Sequence, residues 1–353
     1  MDTGFSATQL YSACRLTFTH YYEPADHTPR LLYGTGFITG FSTPDNRFAL
    51  VTNRHLTDIP WVEPNRDGTV LKSVKVELWQ SKNLRIEFDI QDPTTYFHVD
   101  PYIDICVIPF GPAIDTNAKG YPFDKIENLI PDLSAEFLEF KHGLSWEYLL
   151  ECETLWGELG PGESVAFPGY PIWFDRLQNR PVFRSGVIAS DPQTDYRSNS
   201  GEPTIHDGNQ QILFDAFSTN GNSGSPVFVA QRGIPPVDLQ LQLAPGSSAQ
   251  PANARLEFSG YRRSFLIGIN AGHFNDVDYK QVEEERTDEG ADETETVSAD
   301  AIGLRQSAND HAGLSRMHKL SAIMEILRAN ADTEASAEVS SRILIRKPAE
   351  DDA

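Results

Sequence analysis

Apolar and polar positions along this chain switch every few residues, and the runs between turns are short. Cys14-Arg15-Leu16-Thr17-Phe18-Thr19 and Val74-Lys75-Val76-Glu77-Leu78 alternate in character, the period-2 pattern of strands with one face in a core. Runs of this kind fill residues 1–112 and define a first β unit. Residues 113–157 form a connection, proline-rich at first and then helical around 134–140. Strand signals resume at Glu163-Ser164-Val165-Ala166-Phe167 and continue to His273-Phe274, giving a second β unit over 158–280. Inside it, residues 231–259 carry Pro-Pro, Ala-Pro-Gly-Ser-Ser and Gln-rich pieces and read as an insertion between strands.

The remainder changes character. Residues 283–295 are nearly all polar and mostly acidic. They offer too little apolar area to offset the entropy of ordering them, so 281–310 is expected to be a disordered loop. Leu314, Met317, Leu320, Ile323 and Leu327 then recur at spacings of three and four, which predicts an amphipathic helix over 311–330. Residues 331–353 read as a flexible tail, with Ile343-Leu344-Ile345 an apolar island suited to an added edge strand.

Three segments carry candidate chemistry. Gly221-Asn222-Ser223-Gly224-Ser225-Pro226 is a glycine-flanked serine loop. Glycines permit a tight turn in which two backbone N–H groups, those of Gly221 and Ser223, serve one oxyanion. A serine hydroxyl also needs a base. His55 stands just past the apolar run Leu50-Val51-Thr52 and is placed to act as one. Asp104 heads Ile105-Cys106-Val107-Ile108, where its carboxylate would fix the imidazole tautomer and stabilise the imidazolium. Asp100 and Asp58 are weaker competitors for that role, and the remaining histidines lack matching partners.

In their order, these segments resemble the chymotrypsin/trypsin superfamily of serine proteases, and within it the bacterial HtrA-type branch. Gly34-Thr35-Gly36-Phe37, Val51-Thr52-Asn53-Arg54-His55, Gly169-Tyr170-Pro171, Arg184-Ser185-Gly186-Val187-Ile188 and Leu266-Ile267-Gly268-Ile269-Asn270 extend the resemblance over residues 30–275. It implies an all-β fold of two six-stranded antiparallel β-barrels with a C-terminal helix. His55 and Asp104 would lie on the first barrel and Ser223 on the second. By alignment to the motif, Phe217 falls at the base of the S1 pocket, which Phe217, Ser218 and Asn270 would shape for small or medium apolar residues. His273 is an alternative wall that would favour an acidic or amide side chain. Two departures stand out. Few residues follow the expected helix, too few for the PDZ domain usual in the HtrA-type branch. Asn222 replaces the aspartate that pairs with a new amino terminus in many trypsins, which implies an enzyme needing no zymogen cleavage.

Composition narrows the partners. A formal charge of −22 argues against nucleic acid and anionic membranes. No run approaches the ~18 apolar residues of a membrane span, and no secretory leader is evident at Met1. The three cysteines, Cys14, Cys106 and Cys152, do not suggest a disulfide framework, which points to a reducing cytoplasm. No ligand spacing suggests a metal or other cofactor. The sequence thus predicts a serine endopeptidase acting on a protein or peptide substrate, with a regulatory protein as a further candidate partner. The alternatives are an effector in stress or phage defence, silent until triggered, and a catalytically silent binding module.

Overall fold

The computed structural model describes residues 4–22, 28–43, 47–81, 83–110, 140–197, 208–241, 252–256, 258–275, 311–336 and 343–346. The protein is mostly β. The first unit contains β1 (Ala13–Tyr22), β2 (Arg30–Gly40), β3 (Phe48–Thr52), β4 (Thr69–Ser81), β5 (Leu84–Gln91), β6 (Tyr96–Phe97) and β7 (Cys106–Phe110). The second contains β8 (Ser164–Gly169), β9 (Val182–Ile188), β10 (Gln211–Asp215), β11 (Pro226–Val229), β14 (Phe265–Asn275) and β15 (His311–Lys319). Strands β12 (Val237–Leu241) and β13 (Ala252–Leu256) pair as a separate hairpin within the 231–259 insertion, and β16 (Ile343–Arg346) lies in the tail.

The second unit is a closed antiparallel barrel, ordered β10-β15-β14-β11-β8-β9. The first is an open antiparallel sheet of eight strands, ordered β16-β5-β4-β1-β2-β3-β7-β6, instead of the expected second closed barrel. One edge ends at the two-residue strand β6. At the other, Ile343–Arg346 pairs with β5 from Ile90 to Glu87 and takes up the hydrogen-bonding edge that closure would use. The apolar island of the tail therefore does form an edge strand.

Alternation sets the cores. Cys14, Leu16 and Phe18 turn inward from β1 onto Val74, Val76, Phe88, Ile90, Ile108 and Phe110, while Arg15, Thr17 and Thr19 face outward. A second core fills the barrel and runs across the junction. It joins Phe37, Val51, Ile105 and Val107 of the first unit to Phe167, Phe214, Val227, Ile269 and Met317 of the second.

A helix over Leu320–Ser336 packs Leu320, Ile323, Met324 and Leu327 onto this joint core. The helix expected over 311–330 thus begins later, because His311–Lys319 is a strand. The spacing of Leu314 and Met317 mimics a helix, but those residues lie in the strand that closes the barrel, bonded to β10 on one side and β14 on the other. Ladder formation overrides the local pattern. A further helix, Trp146–Leu155, is capped by Ser145, whose Oγ accepts from the Tyr148 N–H at 3.1 Å. The helical turn expected around 134–140 falls almost wholly outside the described residues, and the acidic segment 281–310 lies entirely outside them.

Phe214 meets Phe167 edge-to-face inside the barrel with ring centroids 5.3 Å apart. Phe214→Ala is expected to cost about 3–5 kcal/mol, read as a lower denaturant midpoint with an unchanged slope.

Candidate active site

His55 sits in a single 3₁₀ turn, Arg54–Leu56, directly after β3. Arg54 braces that turn by donating to Asp58 at 2.8 and 2.9 Å and stacking over Trp61 and Phe97. Asp58 is thereby engaged and unavailable to orient His55. Asp100 is likewise committed, accepting from the Tyr102 N–H and from Asn209 Nδ2.

Asp104 is the carboxylate that meets the histidine. Its Oδ2 lies 2.6 Å from His55 Nδ1 and its Oδ1 accepts the His55 backbone N–H at 2.9 Å. Asn53 Nδ2 donates to the Asp104 carbonyl at 2.7 Å, and the Asp104 N–H donates to Nε2 of His318 at 3.0 Å. Both carboxylate oxygens and both main-chain polar groups are therefore fixed. Burial pushes this carboxyl up, but the His55 charge and the two hydrogen bonds from His55 outweigh it and bring the pKa to about 2. An ionised carboxylate accepts only, so the proton of a neutral His55 is on Nδ1 and Nε2 is left as the base. His55 remains 27% exposed along its side chain while Asp104 is 2% exposed, so the ring is open to solvent and its partner is shielded at the floor of the cleft.

Ser223 lines the same cleft of about 380 Å³ as His55 and Asp104, together with Thr219, Asn220, Ala271, Gly272 and Arg316. Among the described residues the Ser223 hydroxyl makes no hydrogen bond. Such bonds are often long before substrate arrives.

The loop around Ser223 is pinned peptide by peptide. The Asn220 carbonyl accepts from the Ile172 N–H at 3.0 Å, and the Gly221 carbonyl from Thr35 Oγ1 at 2.7 Å. The Asn222 carbonyl accepts from Asn270 Nδ2 at 2.9 Å and from the Ser225 N–H at 3.0 Å. The Ser223 carbonyl accepts from the Thr35 N–H at 2.9 Å, and the Gly224 N–H donates to the Asn270 carbonyl at 3.1 Å. In a trans peptide the C=O and the following N–H point opposite ways. Anchoring the Asn220 and Asn222 carbonyls therefore turns the Gly221 and Ser223 N–H groups outward. Asn222, Gly224 and Ser225 spend their N–H groups on the protein, whereas those of Gly221 and Ser223 have no acceptor among the described residues. Gly221 and Gly224 adopt φ of +93° and +87°, the left-handed region that glycine enters without a Cβ penalty.

Of the residues expected at S1, the side chains of Phe217, Ser218 and Asn270 are described. Phe217 is 54% exposed, with the Arg184 guanidinium 5.4 Å above its ring, and does not line the cleft with Ser223. Ser218 and Asn270 are buried and bonded to each other at 3.0 Å, so they brace the loop from beneath. Asn270 has no spare donor for a substrate, since its Nδ2 serves Ser218 and the Asn222 carbonyl. His273 stands on β14 opposite Ser315, and its side chain lies outside the described residues.

Sequence reasoning passed over Thr35, Arg316 and His318. Only the Gly34-Thr35-Gly36 pattern hinted at the first. The other two depend on the placement of β15, which no local signal reveals. Arg316 is buried in the cleft wall with Nε 3.3 Å from the Ala271 carbonyl. All three cysteines are free and buried. Burial pushes the Cys106 thiol up to about 12 and the Cys152 thiol up to about 11, and raises that of Cys14, so none offers a thiolate to compete with Ser223. Among the described residues no helix is long and apolar enough to cross a membrane, and no cluster of His, Cys, Asp and Glu is arranged to hold a metal.

Two predictions arise here. A Cβ at Gly224 would sit 1.9 Å from the Thr35 carbonyl oxygen, so Gly224→Ala should displace the loop and lower both thermal stability and reactivity of Ser223 in a labelling assay. Burial holds His318 down to about 4, despite the upward pull of Asp104. Below the usual imidazole value near 6.5 the unfolded chain therefore gains a proton that the native ring refuses. Stability should fall as pH drops from about 6.5 to 4, by on the order of 3 kcal/mol. His318→Gln keeps an acceptor and should flatten that slope in thermal melts taken across the range.

No protein-family model matches this sequence, and no curated protein matches it.

Proposed function

We propose that the chain is a serine endopeptidase working through His55, Asp104 and Ser223, on a trypsin-like two-unit architecture in which an open sheet stands in place of the first barrel. The observation that carries this reading is the 2.6 Å contact between His55 Nδ1 and an ionised Asp104, in a cleft shared with Ser223. A closed barrel beside a second antiparallel sheet, with the cleft at their junction, is compatible with that architecture.

The chemistry divides into two acyl transfers. Ser223 Oγ attacks a peptide carbonyl as its proton passes to His55 Nε2. The developing oxyanion is met by the Gly221 and Ser223 N–H groups, which no acceptor among the described residues claims. Asp104 stabilises the imidazolium without taking its proton. His55 then protonates the leaving amine, and the acyl group remains on Ser223. Water, deprotonated by His55, releases the acid and restores the serine. Because the Asn220 and Asn222 carbonyls are already held, oxyanion binding needs no rearrangement of the loop and no new amino terminus. The protein is therefore expected to be active as synthesised and not only when triggered.

A fluorescent fluorophosphonate should label the wild-type protein at a single site. Ser223→Ala and His55→Ala should abolish labelling. Asp104→Asn, which reverses the imidazole tautomer, should slow turnover by about 10⁴-fold. Absence of labelling in a well-folded wild type would reject constitutive activity. Thr35→Val removes the hydroxyl that holds the Gly221 carbonyl and accepts from the Tyr170 N–H, which should loosen the serine loop and lower kcat by roughly tenfold or more with little change in KM.

A further inference from the structure

A second cleft lies beside the one that holds the triad. About 620 Å³ in volume, it is lined by Arg15, Leu31, Leu32, Tyr33, Glu77, Arg85, Tyr170, Ile172, Phe174, Arg176 and Asn179 and ends at Asn220 and Gly221. It shares Leu32 and Asn220 with the triad cleft, so the two are continuous past the serine loop.

Its wall is a sheet edge. β3 pairs with β2 only from Phe37 onward, while β1 covers the other side of β2 from Phe37 back to Arg30. The Thr35 N–H and C=O turn away from β1, toward the Ser223 carbonyl and Thr52 Oγ1. By the two-residue period of a strand, the main-chain groups of Tyr33 and Leu31 turn the same way. No strand among the described residues pairs with them there. Their side chains, 55% and 45% exposed, flank the opening, and Ile172 rims the other side.

Its charge is opposite to that of the whole protein. Three guanidiniums, Arg15, Arg85 and Arg176, face one lining carboxylate, Glu77, in a chain of formal charge −22. Glu77 is already engaged by Arg15 at 3.1 Å and Asn179 at 2.8 Å, and burial raises its pKa in spite of Arg15. Arg15 stacks over Phe174, Arg85 bonds Glu87 at 2.9 Å, and Arg176 donates, among the described residues, to the Ile172 carbonyl alone. Arg176 is the guanidinium with most capacity left for a carboxylate.

Direction follows from His55. The leaving amine takes its proton from that ring, and Leu56 beside it abuts Gly34 of β2, where a Cβ would lie 2.4 Å from Leu56 Cδ1. The segment released with the amine therefore exits along β2.

Building on the proposed peptidase activity, in which the segment following the scissile bond lies extended along the Leu31–Tyr33 edge, we propose that Arg176, with Arg85 and Arg15, selects an acidic side chain in that segment. Specificity thus lies largely on the leaving-group side of the cleavage site.

Two assays with the full chain test this. Wild-type protein is given a peptide library randomised over the positions after the cleaved bond. Ser223→Ala is titrated in fluorescence anisotropy with an extended peptide carrying Glu, Gln or Lys at those positions. The expected result is a preference for Asp or Glu at one of them, about five- to tenfold over Lys and declining with added salt. Arg176→Glu, at an exposed position, should reverse it, and Arg85→Gln should weaken it. Cleavage with no charge preference, or a preference that Arg176→Glu leaves unchanged, would overturn the proposal and leave the peptidase reading standing. Charge-selective binding to Ser223→Ala, reversed by Arg176→Glu, with no cleavage by wild type would support the groove while the peptidase reading failed.

Discussion

Thr35 holds the two β units in register at the point where their chemistry meets. Its N–H binds the Ser223 carbonyl, its hydroxyl binds the Gly221 carbonyl and accepts from the Tyr170 N–H, and its own carbonyl accepts from Thr52. Every polar atom of this buried residue is committed, and three of those bonds cross from one unit to the other. Asn270 holds the same loop from beneath, within the second unit, taking the Gly224 N–H and holding the Asn222 carbonyl. A serine loop left to itself would sample many conformations, since glycines add backbone freedom. Clamped between these two residues, it presents the Gly221 and Ser223 N–H groups in fixed directions. Preorganisation of that kind is the main source of oxyanion stabilisation, because no dipole has to reorient during reaction.

The same junction sets the electrostatics. Asp104 lies in an almost water-free position, which by itself would favour the neutral acid. Its contacts with His55 reverse that preference, and the Asp104 N–H to His318 bond keeps the main chain from shifting. His318 remains a neutral acceptor because burial opposes its charge. One buried ring is thus kept neutral beside a buried carboxylate kept ionised, and the partly exposed His55 ring is the one proposed to move the proton. The arrangement ties folding to the site: β15 supplies His318 and Arg316, and it also closes the barrel.

Much of this was legible in the chain. His55, Asp104 and Ser223 each stand at the end or head of an apolar run, where local pattern and local chemistry agree. Alternation along β1 also read correctly, because one buried face imposes a period of two; along β4 it breaks after Val76, where Glu77 and Gln80 are buried as well and both faces are covered. What could not be read depends on distant pairing. Leu314 and Met317 fit a helical period as well as a strand, and only their ladders with β10 and β14 decide between them. Phe217 was expected in a pocket by motif alignment, but its ring lies at the surface beneath Arg184. Asn270 looked like a pocket wall and is instead a brace, because its amide is consumed by Ser218 and the Asn222 carbonyl. Open and closed sheets have the same strand pattern, so nothing in β5 announced that a tail strand from residues 343–346 would occupy its edge.

The most direct test of this account is a crystal structure of the protein after reaction with a fluorophosphonate. The account predicts a single adduct on Ser223 Oγ, with the phosphoryl oxygen about 2.7–3.1 Å from both the Gly221 and Ser223 nitrogens and His55 still bonded to Asp104. An adduct on another residue, or a phosphoryl oxygen directed away from those two nitrogens, would contradict it.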